Sequence, residues 1–225
     1  LAHDADHNAQ FPEELWQHLV DLGLNYYALP EALGGVAAEQ NIVSNILIAE
    51  SLAKGDFSLT AGLLSTFSVI NAITRWGSTQ VQSMYLPVFA EDTDVTATFA
   101  FQEATPAFNP YQLKTIATET NGQFVITGEK TLVILGDTAD VFLVSAEFNG
   151  QPDIFVVQSN ESIAIKANPA MGLKATETAT LQFNQTPALR LGDADFDYTA
   201  FVDLGNLMWC AMAIGTCEAI KAYCI

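Results

Sequence analysis

The chain has 225 residues, half of them apolar, with 26 Asp and Glu against 8 Lys and Arg, a formal net charge of −18. That balance excludes nucleic-acid binding, which needs a stripe of cations to displace counterions from phosphates, and it argues against an anionic membrane surface. The apolar half and the low charged fraction of 15% are those of a folded protein, since a disordered one is too polar to offset the entropy of folding.

From Pro12 to about Glu91 the apolar residues recur at helical spacing. Leu15, Trp16, Leu19, Val20 and Leu22 form one stripe behind Pro12-Glu13-Glu14, whose proline and acids suit a helix N-terminus. A second helix is expected from around Glu39 to Lys54-Gly55-Asp56, and a third from Ser58 to Trp76, stopped by Gly77. A fourth, capped by Ser78-Thr79, runs through Val81, Met84 and Tyr85 to Pro87. Residues 1–93 therefore predict an all-α N-terminal domain. The Leu59 to Ile73 stretch is broken by Ser, Thr and Asn and falls short of the ~20 apolar residues of a bilayer span, so no membrane span is expected.

After Asp94 the period changes to two. Residues 95–101, 123–127, 141–145, 153–157, 162–165 and 178–183 are short and rich in β-branched and aromatic residues. Asn121-Gly122 and Asn149-Gly150 lie between such runs, and Asn-Gly is a strong hairpin signal because both turn residues must accept positive φ. Residues 94–198 thus predict an antiparallel barrel or sandwich. Two segments stand out within it: Phe99 to Asn109, which leaves a strand for a loop, and Gly128 to Gly136, which reads as a Gly-x-Lys turn between strands.

From Phe201 the helical period returns and continues to Ile225. A helix apolar on most sides needs partners, so residues 199–225 are expected to open a third, helical domain that the chain does not complete. Cys210, Cys217 and Cys224 recur every seven residues along it, about 10 Å apart, too far for a disulfide or for one shared metal. They are expected to be buried core thiols in a reducing cytoplasm. The acidic N-terminal residues show no cationic start or apolar run of a signal peptide.

Generic catalytic signals are weak. There is no G-x-G-x-x-G, no Walker A lysine motif and no G-x-S-x-G elbow. His3 and His7 stand four apart near the terminus, where solvated histidines are a simpler reading than a metal pair.

Motif by motif and in order, however, the chain resembles the acyl-CoA dehydrogenase family. Leu22-Gly-Leu24 and Leu29-Pro-Glu-Ala-Leu-Gly-Gly35 are similar to its early "lgl…vPeeyGG" segment, and Trp76 to Pro87 to its "fGteeqk-yLp" stretch. Glu103 corresponds to the Glu of its T-E-P-x-A-G-S-D loop, with Thr115 and Ala117 matching the T-x-A that follows. Gly128-Glu-Lys130 and Ala139-Asp140 flank the position of its K-x-W-I-T-N-G strand, and Met171 to Thr178 with Leu181 and Phe183 is similar to M-G-x-R-x-S-x-T-x-x-L-x-F.

The resemblance implies a helical N-terminal domain, an antiparallel β-barrel middle domain and the first helix of a C-terminal bundle. It further implies an oligomer, homo- or hetero-, with FAD between barrel and helices, an acyl-CoA thioester stacked on the flavin, and α,β-desaturation. In that reaction a glutamate takes the α-proton, the β-hydrogen leaves as hydride, and electrons pass to an electron-transfer flavoprotein. The FAD-binding positions implied are Phe99, Phe101, Gln102, Ala107, Leu132, Val133 and Ile134, and the substrate-binding ones Phe108, Asp203 and Asn206. Several depart from the family. Gln102 replaces a Thr, Ala107-Phe108-Asn109 replaces Gly-Ser-Asp, Leu132-Val133-Ile134 replaces Trp-Ile-Thr, and Asn206 replaces an Arg. Gly205 stands where a minority subfamily carries its base, so no catalytic glutamate is assigned within these residues. The departures leave three readings open: a dehydrogenase with a divergent site, a non-catalytic homologue or partner subunit that has lost its flavin, or a different flavin chemistry on the same scaffold.

Overall fold

A computed structural model describes all residues except Leu1, 37–40 and 169–170. The helical part comprises α1 (Ala2–Asn8), α2 (Glu13–Leu22), α3 (Leu24–Ala28), α4 (Ile42–Ala53), α5 (Phe57–Trp76) and α6 (Thr79–Glu91). The expected second helix start at Glu39 lies outside the described residues; α4 is described from Ile42, with Asn41 as its cap accepting from the Val43 N–H. Asp56 and Ser78 cap α5 and α6 in the same way. Where Pro87 was expected to end the fourth helix, α6 continues through it to Glu91. Tyr85, Leu86 and Phe89 are buried in the core, and that burial outweighs the one backbone bond that proline removes.

The strands are β1 (Ala97–Ala100), β2 (Ile116–Thr120), β3 (Gln123–Val133), β4 (Val141–Phe148), β5 (Gln151–Gln158), β6 (Ile163–Ala167) and β7 (Ala179–Arg190). Pairings β4-β2-β3-β7-β5 close on themselves through β4–β5, giving a barrel, while β6 adds to β7 and β1 to β4. Most pairs are antiparallel, but β1 and β2 both meet β4 in parallel. Both Asn-Gly pairs make two-residue hairpin turns with positive φ at Asn121, Gly122, Asn149 and Gly150. Strand β2 carries little apolar signal, since Ala117 is its only buried residue. The expected turn at Gly128 is instead a bulge inside a continuous β3, with φ of 147° at Gly128, where a Cβ would crowd Thr115.

Alternation in β4 and β5 builds two cores at once. Phe142, Val144, Phe155 and Val157 fill the barrel, whereas Val141, Leu143, Ile154 and Val156 pack outward against the helices. A hydroxyl fixes the join: Thr66 of α5 accepts from the Ala97 N–H at 2.9 Å and donates to its carbonyl at 3.3 Å, so the edge of β1 is satisfied by a helix side chain.

Helix α7 (Tyr198–Cys224), capped by Asp197, packs against α4 and α5. A Cβ at Gly215 would overlap the Glu50 carbonyl oxygen of α4; beside it Thr216 donates to the Ala53 carbonyl at 3.1 Å and Glu218 pairs with Lys54 at 2.7 Å. The expected buried thiols are corrected here: Cys210, Cys217 and Cys224 are all exposed, because they share a stripe of α7 turned away from the stripe that meets α4. The expectation of no membrane span rested on short or interrupted apolar runs, yet two helices reach spanning length. Phe57–Trp76 and Tyr198–Cys224 are each long and apolar enough by composition, the first with 78% of its apolar window buried within the fold and the second with 28%. The polar residues that interrupt α5 serve β1 and the cavity described below, so the helix remains a core element.

Replacing Gly215 by Ala is expected to force α7 off α4 and to cost about 1–3 kcal/mol, measurable as a lower urea midpoint at unchanged m-value.

Candidate functional site

Glu103 and Lys130, which belong to two of the motif segments, form a buried ion pair: Lys130 Nζ lies 2.9 Å from Glu103 Oε1, and their side chains are 0% and 4% exposed. The ammonium also donates to Ser145 Oγ at 2.9 Å and to the Phe101 carbonyl at 3.2 Å. The carboxylate accepts from the backbone N–H groups of Lys114 at 2.8 Å and Thr115 at 2.9 Å. Burial lowers the Lys130 pKa to about 8 against the opposing pull of Glu103. For Glu103 burial works upward, but the Thr115 N–H, Lys130 and the Lys114 N–H outweigh it and hold the carboxyl below its usual value. The Thr131 N–H donates to the Gln102 carbonyl at 2.8 Å, so residues 101–103 are pinned one after another to β3 and β4.

Phe101 and Gln102 belong to one wall of a cavity of about 840 Å³ between α5, the barrel rim and α7. Rim residues Phe99, Phe101, Gln102, Leu132 and Ile134 face Leu204, Met208, Trp209 and Met212 of α7. The Phe101 ring stacks near Tyr198 and Phe201, with centroids at 6.3 and 6.4 Å. The Tyr198 hydroxyl donates to the Pro110 carbonyl at 2.8 Å, tying the loop after β1 to α7; burial raises its pKa. No charged side chain lines the cavity among the described residues.

Residues 1–93 match the family described as "Acyl-CoA dehydrogenase, N-terminal domain", and residues 98–186 match "Acyl-CoA dehydrogenase, middle domain". The chain belongs to the acyl-CoA dehydrogenase family. It is 27% identical over 225 residues to a probable acyl-CoA dehydrogenase of Bacillus subtilis, covering 96% of this chain and 37% of that protein. A second acyl-CoA dehydrogenase of the same organism is 26% identical over 96% of this chain and 60% of its own length. In fold, it is similar to butyryl-CoA dehydrogenase from Megasphaera elsdenii, with a TM-score of 0.83 and 24% identity over 97% of this chain and 61% of that one. The chain therefore spans between about a third and three fifths of the length of these acyl-CoA dehydrogenases.

Against the acyl-CoA dehydrogenase motifs, the structure brings Phe99, Phe101, Gln102, Phe108, Leu132, Ile134 and Asn206 together around the cavity. Ala107, Val133 and Asp203 lie outside its walls: Ala107 and Asp203 are exposed, and the Val133 side chain fills the barrel. Leu132 is 52% exposed and sits at φ 53°, a left-handed conformation at the end of the bulged strand that costs a leucine energy.

Sequence reasoning missed the opposite wall. Asn45 of α4, Ala61, Ser65, Ser68, Asn71 and Ala72 of α5, and Thr98 of β1 all line the cavity. The available signal was spacing: small and polar residues at 61, 65, 68 and 72 fall on one face of an otherwise apolar helix.

Glu103→Gln leaves the Lys130 ammonium buried without its counter-charge and is expected to cost about 3–5 kcal/mol, whereas Glu103→Gln with Lys130→Met should cost less than the sum of the two single changes. Urea denaturation of the four proteins checks this. Because the folded carboxyl titrates below its unfolded value of 4.5, its stabilisation is complete above that pH and is lost as pH falls through the folded value. Melting curves from pH 7 to 3 should therefore fall less steeply for Glu103→Gln than for the native chain.

Proposed function

We propose that this chain supplies the FAD- and acyl-thioester-binding part of a dehydrogenase that desaturates an acyl-CoA at its α,β-bond and passes electrons to an electron-transfer flavoprotein. The cavity carries this reading: family motif positions meet there, and its volume of about 840 Å³ lies in the range of small-molecule sites. Its walls fit a flat heteroaromatic ring. Phe101, Phe108, Leu132 and Ile134 offer apolar surface and the Gln102 amide offers polar atoms, while the Thr131 hydroxyl is engaged by Thr180 and Asn168. A flavin bound there supplies an acceptor for the hydride from the β-carbon. The chain's own residues offer apolar surface along the barrel rim and hold that rim in place through the Glu103–Lys130 pair. Since no carboxylate, imidazole, ammonium or guanidinium is among the described lining residues, they provide no acceptor for the α-proton and no cation for a diphosphate.

That neutral lining favours a second reading, a non-catalytic homologue acting as partner subunit of a hetero-oligomer. The ChsE4-ChsE5 complex of Mycobacterium tuberculosis gives it support, being similar to this chain at a TM-score of 0.77 and 26% identity over 97% of this chain and 58% of that one.

The visible spectrum of the purified full-length protein separates the two readings. A flavin spectrum that bleaches under anaerobic butyryl-CoA or a longer acyl-CoA is the expected result. A colourless protein that FAD does not reconstitute overturns the dehydrogenase reading, and flavin that no acyl-CoA bleaches leaves the non-catalytic one. Leu132→Trp with Ile134→Thr is expected to tighten FAD binding about 2- to 10-fold by adding an aromatic face, as read by flavin fluorescence titration.

A further inference from the structure

We propose that the cavity takes an acyl group bearing a neutral hydroxyl on its chain, received by Asn45; this deepens the acyl-thioester reading above and rests on it. Asn45 stands in the first turn of α4, is 6% exposed and lines the cavity. Its Oδ1 is the single fully buried side-chain polar atom without a hydrogen-bond partner among the described residues. The rest of the buried polar inventory shows how unusual that is. Ser65 and Thr98, on the same cavity, satisfy one another at 2.8 Å, and Thr66 is used by β1. A buried amide left without a partner is costly, and native proteins retain such groups where a ligand or a solvent molecule serves them.

Solvent entering the cavity can serve Asn45 until an acyl chain displaces it. A plain alkyl chain then leaves the amide unpaired, and the loss disfavours that ligand by about 5- to 100-fold. A chain with a hydroxyl at the right carbon replaces the solvent's hydrogen bond instead, and a site built in this way rejects the analogue lacking the group. Charge selects the hydroxyl over other polar groups. With no charged residue among the described lining, a carboxylate or ammonium on the chain would be desolvated without a counter-charge. A hydroxyl also donates and accepts, so it suits either orientation of the Asn45 amide. Ser68 and Asn71 of α5 line the same cavity, and with Asn45 they give its helical wall a polar lining that a simple fatty acyl chain has no use for.

The test measures binding of hexanoyl-CoA and of 4-, 5- and 6-hydroxyhexanoyl-CoA to the full-length protein by isothermal titration calorimetry. At least one hydroxylated isomer should bind about fivefold or more tightly than hexanoyl-CoA, and Asn45→Leu should erase that preference while tightening hexanoyl-CoA. If hexanoyl-CoA binds as well as every hydroxylated isomer, the inference falls and the acyl-thioester reading stands. If none of the four thioesters binds, both fall. Should Asn45→Leu fail to fold, the native-chain comparison decides the matter, and Asn45→Ala, checked first by thermal melting, replaces the leucine variant.

Discussion

Much of the site depends on one buried contact, the ion pair of Glu103 and Lys130. Two charges removed from water gain little or nothing in net stability against an apolar pair of similar volume, so their presence calls for another account. Geometry provides it. The other hydrogen bonds of the pair reach the Phe101 carbonyl at the start of the loop, Ser145 of β4, and the adjacent N–H groups of Lys114 and Thr115 at the far end of the loop. An apolar pair would fill the space but would not specify where the loop starts and ends. The two residues that leave β1 for the cavity, Phe101 and Gln102, inherit their position from this network.

From the other side the same strand is held by α5. Thr66 closes the backbone of β1 and Ser65 bonds Thr98, so the helix reads the strand through hydroxyls while its apolar residues share one core with the outward faces of β4 and β5. This explains why a core helix 20 residues long carries so many Ser, Thr and Asn. The charge imbalance also takes on meaning. Of the 8 basic residues, Lys54, Lys130, Lys174 and Arg190 are engaged in ion pairs, which leaves few cations for phosphate-bearing ligands in this part of the family's architecture. Acids crowd the surface, and the cavity stays neutral.

What the sequence disclosed followed the range of each interaction. The change of period near residue 94 and the Asn-Gly turns are local, set by side-chain alternation and by the φ values those two residues accept, and the structure shows both. Pro87 misled because a local breaker lost to tertiary burial of Tyr85, Leu86 and Phe89. Strand β2 was hidden because one buried alanine gives no pattern, and the cysteines misled because a heptad spacing says which residues share a face but not which face is covered. At the site, the rim residues were legible through motif order. Asn45 was not: its importance arises only when α4, α5, β1 and α7 converge, and no spacing within one segment reports that.

Helix α7 shows how tightly these parts are linked. Leu204, Gly205, Met208, Trp209 and Met212 lie on its cavity side, while Ala211 and Gly215 are buried, with Gly215 against α4. Two adjacent stripes of one helix therefore close the cavity and grip the helix that carries Asn45. A displacement of α7 at Gly215 would move the roof of the cavity relative to Asn45 and relative to the rim held by Lys130 together. For the ligand proposed above, affinity would then depend on a glycine that lies outside the cavity lining. Backbone approach at residue 215 and hydrogen bonding at residue 45 are thus one constraint, expressed at two ends of the α4–α7 contact.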